Sequence, residues 1–183
     1  MSEHQITASA REVLTGWQPP DPGQRQLRDH YLDHLDRRPD GWSRSCPGQH
    51  LTASSMIISA AGDQVLLTLH RKIGRWLQTG GHIEADDHGV REAALREAVE
   101  ESGQAGLRLG ELLILSRHQV ACGPVSPTYH LDLQFLAIGD PSRPIIVSDE
   151  SSDVAWFDVG ALPDVDQSVR RLVSTARSVV AAG

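Results

Sequence analysis

The segment GGHIEADDHGVREAALREAVEESG, residues 80–103, joins a pair of glycines to a stretch that is compatible with a helix. We predict a helix over 89–102, because the glycine that follows is suited to its C-terminal stop. Like charges three or four residues apart destabilise a helix by roughly 0.2–0.5 kcal/mol per pair. Here three carboxylates stand at i, i+3 and i+4 and project from one face: Glu97, Glu100 and Glu101. Such a cluster suits Mg²⁺ or Mn²⁺, which prefer oxygen ligands and would offset the repulsion.

The acidic face also has a simpler interpretation, which is a solvated helix surface on which Arg96 pairs with Glu100 at i, i+4. The glycines before the helix favour the metal site. Gly80 and Gly81 follow a short predicted strand and permit close approaches that a Cβ would prevent. A loop that leads into a helix start can offer N–H groups to an anion. A phosphate-binding loop beside a carboxylate-rich helix is what metal-assisted phosphate chemistry requires.

Residues 81–103 resemble the Nudix box, whose pattern is Gly-x5-Glu-x7-Arg-Glu-U-x-Glu-Glu-x-Gly-U with U aliphatic. The resemblance is strongest over Arg96–Gly103, which reads REAVEESG. The chain has 14 residues between Gly81 and Arg96, one more than the pattern, so that its first Glu falls on Asp87 or on His88. Asp87 is the better equivalent. Glu84 or Asp86 could substitute for that Glu. Ala98 and Gln104 depart from the pattern at its aliphatic positions.

The resemblance implies an α+β fold of Nudix type, which is an α/β/α sandwich around a mixed sheet. It implies a pyrophosphohydrolase that cleaves a nucleoside diphosphate derivative or a similar small diphosphate with bound Mg²⁺, or Mn²⁺ as the alternative. The metal ligands would be Glu97, Glu100 and Glu101, and Arg96 would orient a carboxylate of this set. Glu97 is a candidate general base, and Glu150 is a second candidate base or an extra ligand. The predicted catalytic set is therefore Arg96, Glu97, Glu100 and Glu150.

Basic and small residues near the box are candidates for substrate binding. Arg71, Lys72 and Arg75 form a basic group in an otherwise acidic chain, which suits either substrate phosphates or a solvated hairpin turn. His82 follows the double glycine, where it could contact phosphate or metal, or make a structural hydrogen bond. The predicted substrate-binding residues are Gly80, Gly81, His82, Arg71, Lys72 and Arg75.

Histidines and cysteines outside the box give weaker signals. His118 and His130 are predicted to face each other across two neighbouring strands, a pairing more often structural than catalytic. Cys46 and Cys122 lack CxxC spacing, so they predict neither a zinc knuckle nor a disulfide framework. The remaining histidines show no metal-ligand spacing: His30, His34, His50 and His70.

The order of elements predicts a helical N-terminal extension over 1–45 and a Nudix domain over 46–183. Two helices are separated by a proline-rich breaker at 18–23, and the second ends before Pro39. The predicted elements that follow are a hairpin over 51–70, strands at 76–78, 112–122, 129–138 and 154–157, and a terminal helix over 168–182.

Composition limits the function classes. The 183 residues carry a net charge of −7, of which residues 84–101 account for −5. This balance excludes non-specific binding to nucleic acid or to anionic membranes, because both need an excess of Lys and Arg. No apolar run approaches the ~20 residues of a membrane span, and the first ten residues show no secretory signal. We expect a cytoplasmic protein with a small-molecule diphosphate substrate, and a homodimer is the assembly to test.

Two other functions stay open on the sequence. A catalytically silent Nudix-like domain would bind or sense a nucleotide without turnover, although the intact glutamate set argues against it. A prenyl diphosphate isomerase on the same fold would require a catalytic cysteine near the pocket, for which Cys122 is the candidate.

Overall fold

The computed structural model describes residues 3–122, 127–148 and 151–183. Within these ranges four helices surround one seven-stranded mixed sheet. In chain order the elements are α1 (Glu3–Gly16), α2 (Pro22–Arg37), β1 (Gln49–Ser59), β2 (Gln64–His70), β3 (Trp76–Leu77), β4 (Thr79–His82), α3 (Val90–Ser102), β5 (Arg108–Val120), β6 (Thr128–Gly139), β7 (Ser151–Asp158) and α4 (Gln167–Ala182). Each element predicted from the sequence is present, with its ends shifted by a few residues.

Strand β1 is the centre of the sheet, in which five strands follow the order β3-β2-β1-β6-β5, while β4 pairs with β1 and β7 pairs with β2. It pairs in parallel with β6 along one edge, and along the other edge it pairs antiparallel first with β4 and then with β2. Successive β1 side chains point to opposite faces. Leu51 and Ala53 pack in one core cluster with α3, whereas Met56 and Ile58 pack in another with α4. The same alternation places His50 on the α4 side of the sheet.

Helix α3 lies close to the sheet because its inner face is small. Ala93, Ala94 and Ala98 are fully buried, and the carbonyl of Ala94 accepts a hydrogen bond of 3.1 Å from the Ser55 hydroxyl on β1. The helix ends where Gly103 adopts a left-handed conformation, with φ of 66°, as the sequence predicts. Small residues on this face bring the backbone of α3, and its outer carboxylates, close to strand β4.

The N-terminal helices are part of the main core. Ile6, Leu14 and Tyr31 are buried in the same cluster as the residues under α3. The Gln24 side-chain amide pairs with the backbone of the edge strand β5. It donates to the Leu115 carbonyl at 3.0 Å and accepts from the Leu115 N–H at 2.7 Å. The packing fixes α2 on the edge strand β5, while the boundary at residue 45 stays a prediction.

Two local predictions need correction. Strand β5 begins at Arg108, not at Leu112, because irregularities in its pairing with β6 accommodate the Gly110 region. Gly80 and Gly81 lie inside β4 and do not form the loop before α3. Across the described ranges, no helix has the length and apolarity needed to cross a membrane.

Candidate active site

The carboxylates of α3 converge on a cleft of about 250 Å³. Glu97 and Glu101 are mostly buried, whereas the Glu100 side chain is 57% exposed. The structure thus brings together the three glutamates that the sequence places on one helix face. We call this region the carboxylate cleft, and the described residues that line it are Arg44, Gly81, His82, Glu84, Arg96, Glu97, Glu100, Glu101 and Ser148.

Arg96 links this cleft to its surroundings. Its guanidinium donates to Asp87 through Nε at 2.9 Å and Nη2 at 3.0 Å, and Nη1 donates to both Glu97 and Glu100 at 3.0 Å. Nη2 also donates to the carbonyl of His82 at 2.9 Å. The hydrogen bonds to Asp87, together with the charge of Glu97, raise the pKa of Arg96 above its ordinary value, so it stays positively charged.

Asp87 is the acid that pairs with Arg96 in a forked arrangement. It is 4% exposed, and its Oδ2 accepts a further hydrogen bond of 2.7 Å from the N–H of Glu84. Glu84, Asp86 and His88 are exposed. Among the acids that could replace the first Glu of the motif, Asp87 is therefore the buried one. The one residue by which this loop exceeds the motif lies in its exposed part.

The two glycines let β4 pack closely against the backbone of β1 and against the side chain of Glu97 on α3. A Cβ on Gly80 would lie 2.3 Å from that of Ser54 on β1, and the Gly80 N–H donates to Glu101 at 2.9 Å. A Cβ on Gly81 would lie 2.6 Å from Oε1 of Glu97. Their observed role is close packing of β4 against β1 and α3, and contact with a substrate phosphate stays a prediction.

The predicted basic residues lie in the turn between β2 and β3. Arg71 donates to the carbonyl of Ser151 on β7 at 3.1 Å, and Lys72 and Arg75 are exposed. None of the three belongs to the described lining of the cleft. Arg44, which the sequence did not single out, does line it and is exposed. Glu150 falls outside the described residues.

A row of histidines crosses the sheet next to the cleft. His50 on β1 is the register partner of His130 on β6, and His130 is in turn the partner of His118 on β5. The predicted facing of His118 and His130 is confirmed, with ring centroids 5.4 Å apart. The His82 ring lies 5.2 Å from that of His50 and 5.0 Å from that of His130. Cys122 joins this group, with its Sγ 3.4 Å from Nε2 of His82.

Burial lowers the pKa of three histidines in this row, His50, His82 and His130. It lowers the pKa of His82 to about 4, an effect to which the positive charge of Arg44 adds. It lowers the pKa of His130 to about 3, and the neighbouring histidines add to the shift. Burial also lowers the pKa of His50, and the nearby carbonyl of Cys46 partly offsets this shift. Sequence reasoning missed His50 because its neighbours in this row come from other strands.

Comparisons with known proteins bear on this geometry. A family model described as the NUDIX domain matches residues 48–176, which confirms the resemblance carried by residues 81–103. No curated protein matched the chain significantly.

Solved structures share the fold. A hydrolase of the NUDIX family from Clostridium perfringens is 25% identical and gives a TM-score of 0.54, over 73% of this chain and 97% of its own. Dihydroneopterin triphosphate pyrophosphohydrolase from E. coli is 19% identical and gives 0.58, over 73% and 96%. A UDP-X diphosphatase is 14% identical and gives 0.55, over 97% and 92%, so that its likeness in fold extends into the N-terminal helices.

Proposed function

The chain belongs to the Nudix family of hydrolases, and on that premise we propose that it cleaves a diphosphate linkage in a nucleoside diphosphate derivative or a similar small molecule. The observation that carries the proposal is the convergence of Glu97, Glu100 and Glu101 in one cleft, with Arg96 bridging two of them. Solved structures of this fold include enzymes named for dihydroneopterin triphosphate and for UDP-X. Substrates of that chemistry share an anionic phosphate chain attached to a larger group.

The donor set of the cleft fits a hard divalent cation. All three glutamates offer carboxylate oxygens, which Mg²⁺ and Mn²⁺ prefer. Gly81 leaves room in front of Glu97 that a Cβ would fill, since that atom would lie 2.6 Å from Oε1. We assign Mg²⁺ to these three residues, with Mn²⁺ as the alternative. When bound, such an ion polarises phosphoryl oxygens and lowers the pKa of a coordinated water.

The side chains of the chain itself supply orientation, proton transfer and phosphate binding. Arg96 fixes the carboxylates of Glu97 and Glu100, because one nitrogen donates to both at 3.0 Å. Glu97 is mostly buried and is assigned as the general base that accepts the proton of the attacking water. Arg44 lines the cleft as an exposed cation suited to substrate phosphate.

Several sequence predictions stay part of this proposal. Glu150 is kept as the second candidate base, and Arg71, Lys72 and Arg75 as phosphate contacts beyond the cleft. The partner is a small diphosphate, with neither nucleic acid nor membrane involved. We also propose that the protein is cytoplasmic and forms a homodimer.

The experiment is a turnover screen of nucleoside diphosphate derivatives read by phosphorus NMR, with Mg²⁺ and with EDTA. We expect cleavage only with the metal, and loss of most of the rate in Glu100→Gln, because the substitution removes a ligand charge without changing side-chain volume. Glu92→Gln is the matched control, since Glu92 lies on the same helix and outside the described lining of the cleft. Full activity in Glu100→Gln would contradict the assignment. Thermal stabilisation by a nucleotide without turnover would instead support a sensor domain.

A further inference from the structure

Four metal-ligating side chains meet beside the carboxylate cleft, each from a different part of the fold. They are His50 on β1, His82 at the end of β4, Cys122 just after β5 and His130 on β6, and we call them the histidine–cysteine cluster. One ligand atom from each lies within 4.8 Å of all the others. Tetrahedral bonds of about 2.0–2.3 Å hold ligand atoms roughly 3.3–3.8 Å apart. Small side-chain rotations would therefore close this cluster around one ion.

Buried nitrogen atoms without partners point to a missing ligand. His50 is 0% exposed, and although the carbonyl of Cys46 lies near its ring, neither ring nitrogen makes a well-formed hydrogen bond to any of the described residues. Nε2 of His130 is likewise buried, with no partner in the part of the chain that the structure describes. Buried polar groups are almost always hydrogen-bonded, so each such atom calls for an explanation. A metal ion held between these rings would take a lone pair from one nitrogen of each, and the nearby carbonyl of Cys46 is the acceptor available to the second nitrogen of His50.

The donor chemistry selects the ion. Three imidazoles and one thiolate suit Zn²⁺, whereas Mg²⁺ prefers the carboxylates of the neighbouring cleft. Each imidazole can present one lone pair to the ion, and Cys122 supplies a negative charge once the metal displaces its proton. Four protein ligands complete a tetrahedron and leave no open position, which is typical of a structural zinc site.

We propose that His50, His82, Cys122 and His130 form a structural Zn²⁺ site, separate from the carboxylate cleft. Zinc there would tie the chain after β5 to three strands of the sheet. It would also fix the end of β4, where the carbonyl of His82 accepts from Arg96 at 2.9 Å. The ion would thus hold one wall of the cleft without taking part in the reaction.

Metal analysis of untagged protein tests the stoichiometry. After exposure to excess zinc and gel filtration, the wild-type chain should retain about one zinc. Cys122→Ser and His130→Asn should each weaken zinc binding by at least about 100-fold, because losing a ligand costs more than losing one of its supporting hydrogen bonds. The matched control is His118→Gln, which removes the histidine that faces His130 and lies outside the four-residue group; it should retain zinc.

Cobalt substitution keeps the test informative if a variant fails to fold. Wild-type protein loaded with Co²⁺ should show the strong visible bands of a tetrahedral site and a thiolate-to-cobalt charge-transfer band. A selective zinc chelator should lower the Tm of the wild type and leave that of folded Cys122→Ser unchanged. Wild-type protein without stoichiometric zinc, a six-coordinate cobalt spectrum, or full zinc retention by both ligand variants would overturn the proposal. None of these readouts depends on hydrolysis, so they are independent of the proposed activity.

Discussion

The carboxylate cleft and the histidine–cysteine cluster lie side by side and are built in different ways. The cleft takes its acids from one helix and the loop before it, within residues 81–101. The cluster draws its ligands from residues 50, 82, 122 and 130, which belong to separate elements. His82 contacts both, because its backbone carbonyl accepts from Arg96 while its ring lies in the cluster. A site built from a contiguous motif can be recognised in the sequence, whereas a site built by the pairing of strands can be recognised only in the structure.

Removing one cleft carboxylate should separate the two regions most sharply. Glu97→Gln should lower kcat by roughly 10²–10³-fold, because it removes a metal ligand and the assigned base together. Its zinc content should stay that of the wild type. The measurements are steady-state kinetics and metal analysis on the same preparation, with Glu92→Gln as control. Loss of zinc in Glu97→Gln would show that the two regions are one site.

Features of the cleft that depend on local spacing can be predicted from the sequence. The helix over 89–102, its glycine stop and the clustered glutamates follow from local spacing, so they were predictable. Counting forward from Gly81 favours Asp87 as the equivalent of the first Glu of the motif despite the extra loop residue, whereas its forked pairing with Arg96 is visible only in the structure. By contrast, Arg44 comes from a loop with no motif. Its place in the cleft depends on the packing of the N-terminal segment.

The pairing of strands in the sheet is likewise not specified by the local sequence. His50 and His130 are 80 residues apart in sequence and become neighbours through the parallel pairing of β1 with β6. Nothing in the local pattern of either strand specifies that register. Parallel pairing depends on long connections and on packing at both faces of the sheet. Glu101 likewise reaches the Gly80 N–H because β4 pairs with β1 alongside α3.

Asp87→Ala should disturb both regions through Arg96. The substitution removes the forked partner of a mostly buried guanidinium that also donates to Glu97 and His82. We expect a loss of about 2–3 kcal/mol in the free energy of unfolding, less than a fully buried pair would lose because Arg96 is 21% exposed. Urea denaturation measures it. Asp86→Ala, at the exposed neighbouring position, should change stability by less than about 0.5 kcal/mol, and equal losses in the two variants would contradict the role of Asp87.

Gly81→Ala should affect the cleft alone, although it is adjacent to His82. The new Cβ would lie 2.6 Å from Oε1 of Glu97 and would displace that carboxylate. We expect kcat to fall by about 10-fold, since small misplacements of a catalytic group are costly, while zinc binding persists. Gly160→Ala is the control, because no atom lies within 4 Å of the Cβ it would add. Unchanged kinetics in Gly81→Ala would remove the steric argument for the glycine.

His34 lies outside both regions and gives the smallest expected effect. It is 6% exposed, its Nδ1 accepts from Gln49 at 3.1 Å, and its Nε2 lies 3.3 Å from the Gly41 carbonyl. Burial lowers the pKa of His34 below its ordinary value, partly offset by that carbonyl. The unfolded chain therefore binds the proton first as the pH falls, and the contribution of neutral His34, complete above about pH 6.5, is lost below it.

His34→Gln isolates this contribution. Its packing cost is the same at each pH, so the change in unfolding free energy between pH 7.5 and pH 5.5 should be smaller in the variant than in the wild type. Urea denaturation at both pH values measures that difference. Because the cluster histidines are present in both proteins, their acid sensitivity cancels in the comparison. An identical pH dependence in the two proteins would mean that burial of His34 does not couple to stability.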